Sequence, residues 1–429
     1  MSQMDIEEKE EIDDDEEIDE IIVKTKDLVG GEDGFIRKYD FIPSYNGESL
    51  LTQTQRHGLA ESIINAGILV SAWEVEDVVT PPVGSTPQPT IETPVKQISP
   101  VYSIDVQSEG IWLLAGMESG AINLYSVRHE EGQCHYTFTR HKQVVSVIKI
   151  SPDEKSFLSG SWDRQILQWD LNTGEIISSY AGPISQITSI SIRSTPVQKS
   201  FIPANASNDN DNHNHFSFLV TTFDGVVWIF DSRSPNEPIK KIPPSTGCPP
   251  WALSACWSKD DSKIYCGRRN GSIDEIDFYD GSILRSIKLP KDSGPVYYVM
   301  PMLNNTQILC ASFDNIRLWD LKLTPESAVP SGTNTPKQPS QQKSLGMSES
   351  NNFGKSPMKD PLNKKLKNFL DDTLTPVVPF SIIPGHHGGV ISTMITDLEG
   401  KILITASGTK GWEGISNNNC LVYSIIPKD

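Results

Sequence analysis

Residues 159–171 read SGSWDRQILQWDL, and their pattern is that of one β-hairpin. Residues 159–161 end one strand, residues 162–164 form a turn, and residues 165–171 run out as a second strand that closes on Trp169-Asp170. Small and apolar residues alternate with polar ones on both sides of the turn, as in strands that bury one face. The stretch therefore predicts two paired strands of a sheet.

Six further stretches resemble this hairpin. They are GGEDGFIRKYDF (30–41), AGMESGAINLYSV (115–127), TTFDGVVWIFDSR (221–233), CGRRNGSIDEIDF (266–278), ASFDNIRLWDL (311–321) and a diverged copy within 406–423. The nearest neighbours lie roughly 45 residues apart, which is the period of a propeller blade. Trp-Asp closes two copies. The series predicts an all-β fold, a seven-bladed WD-repeat β-propeller.

Four polar side chains around the best-formed hairpin have the spacing of a structural network within a blade. Ser159 and Trp169 flank Asp163, and His141 precedes the predicted strand at residues 144–150. Because buried polar groups are tolerated when they are paired, we expect His141, Ser159, Asp163 and Trp169 to form a hydrogen-bonded chain. The recurring Asp33, Asp163, Asp224 and Asp314 are interpreted as turn formers.

Composition divides the chain into a tail, a propeller and three insertions. Residues 1–20 form an acidic tail that is expected to be disordered, and residues 21–429 form the propeller. Low-complexity insertions are predicted at about residues 74–99, 194–216 and 322–376. The first blade is apparently truncated and has no obvious outer strand. Residues 59–66 favour a short helix, and residues 362–370 favour either a docking helix or a plain linker.

The repeats also suggest which residues belong to which blade. Blade two is predicted at residues 101–127 and blade three at residues 135–171. Blade five is predicted at residues 247–278 and blade six at residues 296–321. The last blade is predicted to start at Val377 and to contain an enlarged turn, KGWEGISNNN (410–419), which places Trp412 on an exposed loop.

Charge limits the classes of partner. The chain has 37 basic and 55 acidic residues, a formal net charge of −18, and most of that charge lies in the tail. A polyanionic surface argues against sequence-specific DNA binding and against anionic membranes, but it allows basic proteins. The five consecutive carboxylates of the tail are candidate partner contacts: Asp13, Asp14, Asp15, Glu16 and Glu17.

No pattern in the chain indicates catalysis. The sequence contains no phosphate-binding loop, nucleophile elbow or H-E-x-x-H motif, so we expect no enzyme activity, cofactor, metal or small-molecule substrate. His213 and His215 belong to a polar loop without further fixed ligands. Six scattered cysteines without a C-x-x-C pair and the absence of a long apolar run indicate a soluble intracellular protein.

Four segments together resemble one particular WD-repeat family. GGEDGFIRKYDF, SGSWDRQILQWDLNTGEI, PPWALSACWS and the closing GVISTMITD with GWEGISNNNCLVYSI are similar to the WD-repeat subunit of the yeast SAGA transcriptional coactivator that contacts the TATA-box-binding protein. The resemblance implies a nuclear, non-enzymatic scaffold that binds the TATA-box-binding protein and other coactivator subunits and regulates delivery to promoters. A general WD-repeat adaptor in ubiquitin ligation or trafficking stays open as the alternative.

Overall fold

The computed structural model describes eleven stretches of the chain and shows a β-propeller. The described residues are 28–40, 68–79, 95–193, 215–244, 251–290, 293–313, 315–322, 378–384, 390–397, 400–408 and 420–425. They form strands β1 to β28, and no helix occurs among them. Seven antiparallel sheets, here called blades 1 to 7, form a ring, and a two-stranded ribbon accompanies the first. The predicted seven-bladed propeller is confirmed.

Blades 2 to 6 each contain four strands in sequence order from the centre outward. Blade 2 comprises β6 (Val101–Val106), β7 (Trp112–Met117), β8 (Ala121–Ser126) and β9 (Cys134–Thr139). Blade 3 comprises β10 (Val145–Ile150), β11 (Ser156–Ser161), β12 (Ile166–Asp170) and β13 (Ile176–Tyr180). Blade 4 comprises β14 (Ile187–Ile192), β15 (Ser217–Thr222), β16 (Val227–Asp231) and β17 (Lys240–Ile242).

The remaining complete blades follow the same order. Blade 5 comprises β18 (Ala252–Trp257), β19 (Lys263–Arg268), β20 (Ser272–Asp277) and β21 (Ile283–Lys288). Blade 6 comprises β22 (Tyr298–Pro301), β23 (Gln307–Ala311), β24 (Ile316–Asp320) and β25 (Phe380–Ile383). The first strand of each of these blades packs against the first strand of the next, which places these strands around the central axis.

The described parts of blades 1 and 7 have three strands each. Blade 1 comprises β1 (Leu28–Gly30), β2 (Phe35–Asp40) and β3 (Ile68–Glu74), and the ribbon comprises β4 (Glu76–Val79) and β5 (Val95–Ile98). Blade 7 comprises β26 (Ile391–Thr396), β27 (Ile402–Ser407) and β28 (Cys420–Ser424). Tyr39 and Val29 of blade 1 pack with Cys420 of blade 7, so the two blades are neighbours in the ring.

Apolar side chains fill the space between successive blades. Phe218, which is fully buried, packs with Leu158 and Ile166 of blade 3 and with Phe230 of its own blade. Comparable clusters lie at the other blade boundaries from blade 1 to blade 7. Burial of one such side chain stabilises the fold by about 1.5–3 kcal/mol. The core is therefore a series of inter-blade layers rather than one central mass.

Three hydroxyl groups add a hydrogen bond across successive blade boundaries near the axis. The Ser103 Oγ donates to Val145 O at 2.8 Å and the Ser146 Oγ to Ile187 O at 2.7 Å. The Thr188 Oγ1 donates to Ala252 O at 2.7 Å. The three accepting residues each begin a first strand, and a β-bulge follows each of them. The bulges therefore recur with the blade period.

The boundaries of several predicted segments differ from those observed. Residues 135–139, predicted to open blade three, belong to the outer strand of blade 2, and residues 380–383, predicted for the last blade, form the outer strand of blade 6. An outer strand joins the next blade through a short connection, so the two look like one unit in sequence. Blade 1 does have an outer strand, β3, and the ribbon lies within the predicted insertion at about 74–99. The helices predicted at 59–66 and 362–370 lie outside the described residues.

Candidate interaction surface

One turn of each blade opens on the same face of the ring, here called the upper face: the turn between the second and third strands of blades 2 to 6, and the turn between β1 and β2 in the described part of blade 1. In blades 1 to 5 a polar side chain of this turn accepts a backbone N–H two residues ahead. Asp33 accepts from Phe35 at 3.2 Å, Asp163 from Gln165 at 3.0 Å and Asn270 from Ser272 at 3.1 Å. Asp224 does the same toward Val226 at 3.4 Å, whereas Asp314 lies outside the described part of the chain. These side chains fix the backbone of the upper face.

His141, Ser159, Asp163 and Trp169 lie in one continuous hydrogen-bonded chain in blade 3. The His141 Nδ1 is 3.0 Å from Asp163 Oδ2, and its Nε2 is 2.8 Å from Ser159 Oγ. The Trp169 Nε1 donates to the same Ser159 oxygen at 2.8 Å. The chain thus links the upper turn to the third strand through the interior of the blade.

The environment of this chain is structural rather than catalytic. Burial alone would raise the pKa of Asp163, but hydrogen bonds from His141 and from the Gln165 and Lys142 backbone outweigh burial and lower it. The Ser159 side chain is fully buried and already accepts the indole N–H, so no substrate can reach its oxygen. The polar groups of this Ser-His-Asp set are thus paired with one another and with Trp169 in the interior of the blade.

In other blades, different side chains pair the polar groups of the blade interior. In blade 6 the Trp319 Nε1 donates to Cys310 Sγ at 3.0 Å, and Arg317 donates to Ser312 and Ser293 hydroxyls. In blade 5 Arg268 forms a buried ion pair with Asp274 and also donates to Gly225 O of blade 4 at 3.0 Å. The Arg268–Asp274 pair was not predicted from the sequence. The signal was weak, because Lys263, Glu275 and Asp277 are also charged in the same two strands.

One position of each upper turn forms the accessible rim of the upper face. This position is the residue just before the turn-forming side chain, and it lies beside the start of a first strand. The N–H groups of Trp162, Phe223 and Arg269 donate to the carbonyl groups of Val144, Gln186 and Trp251, respectively. We call this set the rim; in blades 1 to 6 its members are Glu32, Glu118, Trp162, Phe223, Arg269 and Phe313. The rim is therefore acidic in blades 1 and 2, aromatic in blades 3 and 4, basic in blade 5 and aromatic in blade 6.

The rim has two chemically different sides. On one side Tyr102 packs edge-to-face against Trp162, with ring centroids 5.8 Å apart. Burial raises the pKa of Tyr102, and the nearby carboxylates of Glu118 and Glu32 raise it further. On the other side Arg269 lies over the Trp251 ring at 3.9 Å, and Trp251 also packs against Phe223 at 4.9 Å. Trp251 thus contributes to the upper face as well as to packing between blades.

The remaining sequence candidates fall outside the described residues. They are the acidic run Asp13, Asp14, Asp15, Glu16 and Glu17, together with Trp412. In the sequence, Trp412 lies between Ser407 of β27 and Cys420 of β28, the connection that carries the rim in blades 2 to 6. The partner-binding role of these six residues stays a prediction.

In the described stretches, no group of three or more His, Cys, Asp or Glu side chains is placed to hold a metal ion. Within the same stretches, no helix is long and apolar enough to cross a membrane. His215 is exposed, and its sequence neighbour His213 is not among the described residues.

Comparison with known proteins connects this fold to one family. The family profile described as the SPT8 β-propeller matches residues 20–216, 202–334 and 363–426. The chain is 32% identical to the SAGA complex subunit SPT8 of Saccharomyces cerevisiae over 93% of its own length and 68% of that protein. It is 34% identical to the SAGA complex subunit Spt8 of Schizosaccharomyces pombe over 93% of its length and 74% of that protein. Human pre-mRNA-processing factor 17 is 38% identical over only 14% of the chain and 11% of that protein.

Proposed function

This chain belongs to the SPT8 β-propeller family, and we propose that it is a non-enzymatic scaffold subunit of a SAGA-type transcription coactivator in the nucleus. The observation that carries the proposal is the similarity to two SAGA subunits over 93% of the chain. The match to pre-mRNA-processing factor 17, by contrast, covers only 14% of the chain. The general adaptor function therefore has less support.

The structure supports a scaffold in two ways. The propeller is a ring of interlocked blades, a rigid body on which turns and insertions can present contacts. The Ser-His-Asp group that could suggest hydrolysis is enclosed within blade 3. In such a protein, function lies in surfaces rather than in a reacting centre.

We propose further that the protein binds the TATA-box-binding protein and regulates its delivery to promoters. The five carboxylates at residues 13–17 would compete for the basic DNA-binding face of that partner. Contact between an acidic run and a basic surface is long-ranged and weakens as salt is added. The tail would then act as a mimic of DNA charge.

The test is a binding titration of the purified chain with the TATA-box-binding protein at two salt concentrations. The chain without residues 1–20 is compared with the full chain. A full-length variant with Asp13 to Asp15 changed to Asn and Glu16 and Glu17 changed to Gln separates charge from length. We expect weaker, less salt-dependent binding in both variants.

The outcomes distinguish the parts of the proposal. Unchanged affinity and salt dependence in both variants would refute the role of the tail and would assign the contact to the propeller or its insertions. Absence of binding by any form, at either salt, would refute binding to the TATA-box-binding protein. A Trp412→Ala variant tests the enlarged turn: we expect weaker binding with an unchanged melting temperature, and equal binding would remove Trp412 from the contact.

A further inference from the structure

The acidic side of the rim has the composition of a receptor for a single cationic side chain. We infer that Glu32, Glu118, Tyr102 and Trp162 form a site on the upper face that binds an arginine side chain from a protein segment of a partner. The four residues come from blades 1, 2 and 3, so the site exists only in the assembled ring. This inference does not depend on binding to the TATA-box-binding protein.

Charge selects a cation for this position. Glu32 and Glu118 are exposed and occupy the same rim position in adjacent blades. Backbone contacts bring both turns to the start of β6, beside Tyr102: the Val101 N–H donates to Gly31 O at 3.1 Å, and the Glu118 N–H donates to Ser99 Oγ. Glu118 makes no ion pair within the described stretches, and its N–H is held by Ser99 Oγ at 3.4 Å. Two carboxylates at one place attract a cation and repel an anion.

The aromatic pair selects a cation that can stack. The Tyr102 and Trp162 rings meet at 72°, so they form two walls of a corner rather than one flat surface. Both are half-buried, and the Trp162 backbone is fixed through its hydrogen bond to Val144 O at 3.0 Å. A guanidinium gains from contact with an aromatic face while its N–H groups reach carboxylates in the plane. The corner is therefore preorganised.

The opposite side of the rim provides an internal precedent. There the rim residue itself is a cation, Arg269, and it lies 3.9 Å from the centre of the Trp251 ring. The molecule thus already uses a guanidinium against a tryptophan at this level of the upper face. On the acidic side the tryptophan occupies the rim position, and the carboxylates come from the two preceding blades. On the acidic side Arg37 is paired with Asp33, and Glu32 and Glu118 add two further carboxylates, whereas Arg269 makes the other side basic.

The experiment uses the full chain labelled with 5-fluorotryptophan and observed by fluorine NMR. The Trp162 resonance is assigned with a Trp162→Phe variant. The probes are the acetylated and amidated peptide Gly-Ser-Gly-Arg-Gly-Ser-Gly and the same peptide with citrulline, which keeps the shape of arginine and removes its charge. We expect a saturable shift of the Trp162 resonance with the arginine peptide, and at least about fivefold weaker binding of the citrulline peptide.

Charge-neutral variants identify the carboxylates. A Glu32→Gln/Glu118→Gln double variant should bind the arginine peptide at least about fivefold more weakly. A Glu109→Gln variant is the matched control, because Glu109 is exposed in the turn between first and second strands, on the other face. Equal melting temperatures show that the variants are folded. Equal response to both peptides, no saturable shift up to about 10 mM peptide, or undiminished binding by the double variant would each overturn the inference.

Discussion

Blades 3 and 5 have the same strand order and the same turn, but their interiors are held by opposite kinds of polar contact. Blade 3 uses the chain from Asp163 through His141 and Ser159 to Trp169, in which hydrogen bonds join a carboxylate, an imidazole, a hydroxyl and an indole. Blade 5 uses the ion pair of Arg268 and Asp274, both almost completely buried. The backbone therefore does not dictate one solution.

The difference has an energetic consequence. Removing one partner of a buried ion pair lowers the free energy of unfolding strongly, because the other charge stays buried without compensation. Removing a hydrogen bond between neutral groups lowers it less. Removal of either Arg268 or Asp274 should therefore destabilise the protein strongly, whereas removal of a single member of the chain in blade 3 should destabilise it less. Substitutions in the two blades can test this contrast directly.

The largest effect is expected in blade 5. Arg268→Met removes the cation, leaves Asp274 buried and also loses the contact with Gly225 O, so the free energy of unfolding should fall by about 3–5 kcal/mol. The double variant Arg268→Met/Asp274→Leu should recover much of this loss, because no uncompensated charge remains. Urea unfolding of the wild type and both variants measures the effect. A loss below about 1 kcal/mol for the single variant would contradict the comparison.

Blade 3 should respond next. Asp163→Ala deprives His141 and the Lys142 and Gln165 N–H groups of their acceptor, and we expect a loss of about 2–3 kcal/mol. The same urea experiment checks the value. Lys155→Ala, at an exposed side chain of the same blade, is the control and should change stability little.

A second substitution at this position, Asp163→Asn, tests the pH dependence that follows from the lowered pKa of Asp163. A carboxyl group whose pKa is depressed on folding stabilises the protein above its ordinary value of 3.8. This contribution is lost as the pH falls through the lower folded value. The stability difference between wild type and Asp163→Asn should therefore shrink on acidification below about pH 4. A difference that stays constant down to the acid transition would show that the charge of Asp163 is not the stabilising feature.

A smaller effect is expected at the indole. Trp169→Phe keeps an aromatic ring stacked on Phe157 but loses the bond to Ser159, and the cost should be about 1 kcal/mol. The same change at Trp319 should cost less, because its acceptor is the weaker sulfur of Cys310. Thermal unfolding of the two variants gives the comparison. A larger loss at Trp319 would show that acceptor strength does not decide the cost.

The smallest effect should be a gain. Arg164 has a φ of 71° in the turn of blade 3, where blades 1, 4 and 5 place Gly34, Gly225 and Gly271 with φ of 79°, 82° and 73°. Arg164→Gly should stabilise the protein by about 0.5–1 kcal/mol, because glycine adopts this conformation without strain. Gly225→Ala should have the opposite sign. Melting temperatures that shift in the same direction for both would contradict this explanation.

The same contrast explains what the sequence could predict. The hairpin at residues 159–171 and the four residues of blade 3 follow from short, local spacings. Arg268 and Asp274 were missed because a charge in a strand resembles an exposed one until its neighbours are known. The outer strand of blade 6, Phe380–Ile383, was assigned to the wrong blade because more than fifty residues separate it from β24.

The rim shows the same limit at the surface. Its members can be read from their place before each turn, but sequence does not tell which of them meet. The Tyr102–Trp162 contact joins two blades, and the Trp251–Arg269 contact joins the beginning of a blade to its own turn. Such contacts depend on how the ring is assembled rather than on the repeat.

The most direct test of the scaffold function is purification of the native assembly through the tagged full chain, followed by quantitative mass spectrometry. We predict that histone-modifying coactivator subunits co-purify with the chain in constant stoichiometry. We also predict that the folded Ser159→Ala variant co-purifies with the same set of subunits, because this serine is enclosed within blade 3. Recovery of a ubiquitin-ligase core or of trafficking proteins in constant stoichiometry, without coactivator subunits, would contradict it.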